Sequence, residues 1–334
     1  MGRRPRVMVS RAGLPGRGLE LLAERCEVVE WDERTPPTAA ELHRLAKDCD
    51  GALVLGTDLV DSALLDAAGA DLRVVALASM GFDAVDQEAA REHKVVVTHT
   101  PHVLAETTAD IVLSLMLMSR RRLGAAIDSM RRGEWRTFQM DVFLGLDVHG
   151  ATLGLIGYGQ IAHAVAKRAA AFGMNVQHHN PGKPSDSLSR SVELEELLRT
   201  SDIVSLHVPL TPLTRNLIGA RELAMMKPTA TLVNTSRGGV VDESALIGAL
   251  RTGRLHSAGL DVMVDEPRSE PTDPLFGVPN LVVLPHVGSA TEATRAAMVE
   301  LAARNVLAVL DGFEAMTPVP GTPATHDRGR PTAR

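Results

Sequence analysis

Short β-rich runs alternating with helical segments predict an α/β fold for this 334-residue chain, organised as two domains that each enclose a parallel sheet. Two observations support this. The alternation occurs twice, separated by one long apolar helical stretch, and a chain this long with 45% hydrophobic residues can bury two cores.

The first series reads "RVMVS", the helical "GRGLELLAER", "CEVVEW", the helical "AAELHRLAKD", then "GALVLG", "LRVVALA" and "KVVVT". Strands separated by helices of that length form βαβ units. Pro101 then introduces "VLAETTADIVLSLMLMSRRR", Val103 to Arg122, a long helix crossing between domains. Its closing Arg120-Arg121-Arg122 is expected to complement the helix dipole. The second series follows with "TLGLIG", a helix from Gln160 to Phe172, "NVQHH", a helix from Glu193 to Arg199, then "DIVSLHV", "ATLVN", "ESALIGALRTG", "SAGLDV" and "LVVLP". This succession is Rossmann-like. A last helix is expected over Glu292–Leu310. The Pro-, Thr- and Arg-rich tail, 317–334, has almost no apolar residues and is expected to be disordered.

Composition narrows the function. Net charge is −6 with Lys and Arg scattered, which argues against nucleic acid as a partner. Cys26 and Cys49 are the only cysteines, too few for a disulfide framework, and no metal site is expected; His178 and His179, adjacent in a strand, point to opposite faces. The start "MGRRPRVMVS" runs directly into a strand rather than a long apolar segment, and Ile111–Met118 is too short to span a bilayer. A cytoplasmic protein without membrane partners is the expectation.

In "LGLIGYGQIAHAVAKRAAAFGMNV", Gly157 and Gly159 close an apolar strand and open an amphipathic helix, with Ala162 in the third position. That strand–turn–helix setting gives a G-x-G-x-x-A loop its meaning: the first glycine turns the chain and the second lets the backbone reach a pyrophosphate. A dinucleotide cofactor follows. In an NAD site an acid about 20 residues further on binds the ribose hydroxyls. Here Asn180 stands in that place, followed by Pro181, Gly182 and Lys183, a set that does not repel a 2′-phosphate and favours NADP over NAD.

Three later loops, "NTSRGGVVDE", "AGLDVMVDEP" and "LPHVGSAT", each follow a strand, where open α/β sheets gather their ligands. They offer Arg237, Asp261, Glu266 and His286: a permanent cation, two acids and one group that titrates near neutrality. Beside a nucleotide loop, that set suits hydride transfer coupled to proton donation.

These motifs, with "GFDAVD", "VTHTPHVLAETTAD" and "PLTPLTRNLI", resemble those of the D-isomer-specific 2-hydroxyacid dehydrogenases, and within them the glyoxylate and hydroxypyruvate reductases; the likeness runs from about Val7 to Leu310. The resemblance implies two Rossmann-like or flavodoxin-like domains with the active site in the interdomain cleft. The substrate domain would be 1–101 completed by 287–316, and the dinucleotide-binding domain 102–286. It implies His286 as acid/base, Glu266 as its partner and Arg237 as anchor for the carboxylate and carbonyl oxygen of a 2-keto acid, reduced to a D-2-hydroxy acid. Asp261 would meet the nicotinamide carboxamide. Ser79, Met80 and Gly81 would bind substrate, largely through backbone amides. Thr108, Gln160, Ile161, His207, Pro209, Thr235, Ser236 and Gly288 would join Gly157, Gly159, Asn180 and Lys183 around the cofactor.

Met80 stands where the family's phosphite dehydrogenase carries a lysine, which disfavours phosphite. Trp135 or Phe138 is a candidate to reach a partner subunit's site in a homodimer, and Met80, Met140 and Leu144 offer an apolar wall for a substrate bulkier than glyoxylate. Because the resemblance also covers transcriptional corepressors, a cofactor-sensing protein without turnover is the alternative.

Overall fold

The computed structural model describes residues 3–33 and 35–326. The chain divides into two compact units, one made of residues up to Leu104 together with those from Ala290, the other of Ala105–Ser289. Both are α/β, in agreement with the fold class expected from the strand–helix rhythm.

The first unit begins β1 (Arg6–Val9), α1 (Gly18–Arg25), β2 (Glu27–Glu30), α2 (Ala39–Ala46), β3 (Gly51–Val54), α3 (Ser62–Ala68), β4 (Val74–Leu77), α4 (Gln87–Glu92) and β5 (Val96–Thr98). Every residue of β3, β4 and β5 is buried, as expected of a parallel sheet covered on both faces. The strand order is β2-β1-β3-β4-β5, all parallel, the flavodoxin-like arrangement. Thr38, Asp61 and Asp86 cap α2, α3 and α4 by accepting from their first-turn amides.

The second unit contains α5 (Ala105–Arg120), α6 (Leu123–Arg131), β6 (Thr152–Ile156), α7 (Gln160–Ala171), β7 (Asn175–His179), β8 (Arg190–Ser191), α8 (Leu194–Thr200), β9 (Ile203–Leu206), α9 (Ala220–Met225), β10 (Thr231–Asn234), α10 (Glu243–Arg251), β11 (Ser257–Leu260) and β12 (Leu281–Val283). Its seven strands run in the order β12-β11-β10-β9-β6-β7-β8, again all parallel. The order reverses between β6 and β9. Loops leaving those two strands flank the switch point, where doubly wound sheets bind ligands.

The chain then returns to the first unit as α11 (Glu292–Leu310). Val299, Ala302, Ala303, Val306 and Val309 of α11 share one buried cluster with Val7, Val9, Leu53, Val74 and Val96 of the sheet.

One expectation is corrected. The tail expected to be disordered from residue 317 is held through Thr317–His326, while 327–334 lie outside the described residues. Fully buried Asn305 of α11 accepts from the amides of Met316 and Thr317 (2.9 and 3.1 Å), Val319 N donates to Val97 O (2.8 Å), and the Val319 side chain is buried. Backbone pairing and one apolar plug thus replace the missing run of hydrophobic residues.

Arg120 lies in the last turn of α5, where a cation complements the helix dipole, and it does more than that. It is buried, and its guanidinium donates to the carbonyls of Asp147 (2.7 Å), Asp202 (3.0 Å) and Thr229 (3.1 Å), tying the segments that enter β6, β9 and β10. Arg120→Met removes the donor from three carbonyls at once and is expected to cost about 3 kcal/mol in chemical denaturation, because orphaned buried acceptors carry their full desolvation penalty. Exposed Arg121→Ala is the control, expected to stay near wild type.

Candidate active site

The carboxyl edge of the second sheet is built by its register. The parallel ladder continues past the strand ends: Asp261 N donates to Asn234 O (2.9 Å), and His286 N donates to Asp261 O (3.0 Å). The three loops following β10, β11 and β12 are therefore stitched side by side.

Asn234 braces the first loop. Its Oδ1 accepts from the Ser236 amide (3.0 Å) and hydroxyl (2.9 Å), and its Nδ2 donates to Arg237 O (2.9 Å). Arg237 follows in extended backbone, half-buried, with Nη1 donating to Ser236 O (2.7 Å). Gly238 comes next. A Cβ there would lie 1.9 Å from both the carbonyl carbon and oxygen of Met263, so only glycine permits this approach between the first and second loops.

Met263 N in turn donates to Glu266 Oε1 (2.7 Å), and Glu266 Oε2 lies 2.7 Å from His286 Nδ1. Because Nδ1 faces a carboxylate, it carries the proton in that pair. Burial alone would raise the Glu266 carboxyl; the hydrogen bonds from His286 and the Met263 amide, with the charges of His286 and Arg237, outweigh it and hold it below its usual value.

Asp261 is 1% exposed, and burial pushes its carboxyl up even though Val287 N (2.8 Å) and Gly288 N (2.7 Å) donate to its two oxygens. Those bonds wrap residues 286–288 around the acid and hold His286 in the left-handed region, φ 54°. The Asp261 position expected to meet the nicotinamide thus also fixes the loop that bears the histidine.

The glycine loop lies at the switch point. Gly157 has φ 88°, and a Cβ there would meet His207 O at 2.6 Å, so the turn after β6 is packed onto the turn after β9. At Gly159, the N-cap of α7, a Cβ would meet no protein atom within 4 Å and φ is −94°. Protein packing therefore gives no reason for glycine at 159; a ligand lying against the backbone does. Gln160 and Ile161 open α7 behind it.

The surrounding side chains fit a nicotinamide dinucleotide. Buried Thr235 has a hydroxyl with no partner, an unmet group of the kind a ligand completes. Burial pushes His207 down to about 3, so it is a neutral imidazole, with Nε2 2.9 Å from Ser205 Oγ; Pro209 follows in the same turn. Thr108 is buried on α5 beside Gly288, whose added Cβ would approach Thr108 Cγ2 to 3.3 Å. Asn180 follows β7, and Lys183 N donates to Asn180 O (3.0 Å).

The substrate-loop candidates lie in the first unit, after β4. Ser79 Oγ donates to Gly81 O (2.7 Å), and Met80 O lies 2.7 Å from His99 Nδ1. Trp135, Phe138, Met140 and Leu144 lie between α6 and β6 and are strongly exposed in the isolated chain. Among the described residues no group of three or more His, Cys, Asp or Glu is arranged to hold a metal ion, and no helix is long and apolar enough to cross a membrane.

Two braces escaped sequence reasoning. Asn234 had a signal, an Asx residue at a strand end, where its side chain caps backbone. Tyr158, between the loop glycines, had none.

A parallel sheet with this glycine loop and an acid-paired histidine defines an NAD(P)-dependent oxidoreductase. The model of the D-isomer specific 2-hydroxyacid dehydrogenase NAD-binding domain matches residues 113–288, more than half the chain, and the protein belongs to that family. A glyoxylate reductase of Korarchaeum cryptofilum is 42% identical over 314 residues, covering 92% of this chain and 94% of that protein. A solved protein of Thermus thermophilus superposes with TM-score 0.88 at 45% identity, covering 94% of this chain and 99% of that one. The NADPH-dependent glyoxylate/hydroxypyruvate reductase of Sinorhizobium meliloti, solved with NADP and malonate, superposes with TM-score 0.84 at 34% identity, covering 98% and 100%.

Glu266 also sets a pH dependence. An acid whose folded value is depressed contributes stability above its ordinary range and loses it as pH falls through the depressed value. The thermal midpoint of the wild type should therefore fall on acidification below the ordinary carboxylate range more steeply than that of Glu266→Gln. Superimposable pH profiles of the two would contradict the assignment.

Proposed function

We propose that the protein reduces a small 2-keto acid of the glyoxylate or hydroxypyruvate type to its D-2-hydroxy acid, using NADPH in preference to NADH. The observation that carries this reading is the 2.7 Å His286–Glu266 pair, stitched through backbone to the Arg237 loop at the edge of a dinucleotide-binding sheet. When bound, the reduced nicotinamide supplies hydride to the carbonyl carbon. His286 gives a proton to the carbonyl oxygen from Nε2, since Nδ1 is held by Glu266. Arg237 grips the carboxylate and stabilises charge developing on the oxygen. Ser79, Met80 and Gly81 are proposed to add backbone donors for the carboxylate, and Asp261 and Thr235 to hold the cofactor's nicotinamide end.

The NADPH preference is supported by Asn180 itself. Its Oδ1 accepts from Tyr158 N (3.2 Å) and its Nδ2 donates to Pro181 O (3.4 Å), which holds an uncharged amide, with one N–H still to offer a phosphate, where an NAD site carries an acid. The exposed apolar set Trp135, Phe138, Met140 and Leu144 supports a homodimer, since a patch of this kind marks an interaction surface. We read the enzyme as cytoplasmic.

NADPH oxidation with glyoxylate, hydroxypyruvate and larger 2-keto acids tests the reading directly; cofactor binding without turnover on any of them would favour the sensing alternative. His286→Ala is expected to lower kcat by roughly a hundredfold or more with little change in KM, the size of a lost general acid. Arg237→Ala should raise KM as well, and a normal kcat/KM in that variant would remove the anchor.

Asn180→Asp should shift the NADPH/NADH ratio of kcat/KM about tenfold toward NADH, by replacing a donor with an acceptor for the ribose hydroxyls. An unchanged ratio would show that cofactor choice lies elsewhere.

A further inference from the structure

Tyr158 stands between the two loop glycines, yet its side chain serves a different loop. The ring lies flat on the buried His178 ring, with centroids 4.0 Å apart and planes 6° from parallel. Its hydroxyl donates to the Asp186 carboxylate at 3.0 Å, and Asp186 Oδ1 also accepts from the amides of Leu188 (2.8 Å) and Ser189 (2.9 Å). Asp186 is the sole acid among residues 180–189.

His178 grips the same loop from beneath. Its Nε2 faces Lys183 O (3.3 Å), which can only accept, so Nε2 bears the proton and Nδ1 accepts from Ser189 Oγ (2.9 Å). The Lys183 backbone is thus held at both ends, its amide by Asn180 O and its carbonyl by His178. The loop after β7 is where a doubly wound sheet reads the adenosine ribose, and an acid there selects NAD. Here the one acid available is occupied by the phosphate loop's own side chain.

We propose that Tyr158 is a positioning residue for cofactor choice: it clasps the 180–189 loop through Asp186 and keeps that carboxylate occupied, so the loop offers Asn180 and Lys183 to the cofactor's ribose. The inference rests on the NADPH reading above and deepens it. Without the hydroxyl, Asp186 keeps its two amide donors but loses the bond that draws its second oxygen toward Tyr158, so its charge is less compensated in a loop that must accept a 2′-phosphate, and the loop has more freedom to lose on binding.

Calorimetry with 2′-phospho-ADP-ribose and ADP-ribose, neither of which undergoes turnover, tests it. Tyr158→Phe keeps the ring and its stack while deleting only the hydroxyl. It should weaken the 2′-phosphorylated probe about tenfold and ADP-ribose less than about twofold, the scale of one hydrogen bond to a charged group. Adding Asp186→Asn should restore most of that loss by removing the less compensated charge. In turnover, KM for NADPH should rise while kcat at saturation holds.

No change in the affinity ratio, equal weakening of both probes, or no recovery in the double variant would each make Tyr158 a packing residue and overturn the proposal. If the wild type itself prefers ADP-ribose, the NADPH reading fails on that result alone. The clasp would still be judged by whether Tyr158→Phe moves the ratio.

Discussion

The carboxyl edge of the second sheet depends on one close approach, that of the Gly238 backbone to the Met263 carbonyl. With 1.9 Å available where a Cβ would be, any side chain must drive the two loops apart. Arg237 is one residue before the approach, and the Met263 amide holds Glu266 just after it. A permanent cation, an acid and the histidine paired with that acid are thereby placed by main chain rather than by flexible side-chain contacts. Such placement suits a site whose function needs tolerances well under 1 Å.

Parallel register supplies the other axis of that construction. Asn234, Asp261 and His286 are joined across strand ends by the same hydrogen-bond ladder that forms the sheet, and Asp261 then closes the loop around its own oxygens. Burying this carboxylate is unfavourable by itself, and the two amide donors offset part of that penalty. The return is a histidine backbone fixed in a conformation that a free loop would seldom adopt.

Much of this was legible in the sequence because it obeys local rules. Strand and helix runs follow apolar periodicity, and Gly157 and Gly159 sit in the strand–turn–helix context that gives a glycine loop meaning. Arg237, Asp261, Glu266 and His286 could be named because each follows an apolar strand. What escaped depends on partners distant in sequence. Nothing near Arg120 announces carbonyls 27, 82 and 109 residues away. Nor does the composition of the tail announce that Asn305 will take the amides of Met316 and Thr317. Nor does the sequence around Gly238 announce that the backbone of Met263, 25 residues on, is what requires a glycine there.

The split of the first unit across both ends of the chain sets an order of events during synthesis. Its sheet is complete in sequence by Thr98, but the helix that covers Val7, Val9, Leu53 and Val74 begins at Glu292. A ribosome adding about 5–20 residues per second needs roughly 10–40 s to cross that interval. The second unit, being contiguous, can fold during that time. The nascent first unit meanwhile presents an aliphatic face that only α1, through Leu22, partly covers, so its aggregation-prone interval is set by the time taken to reach α11.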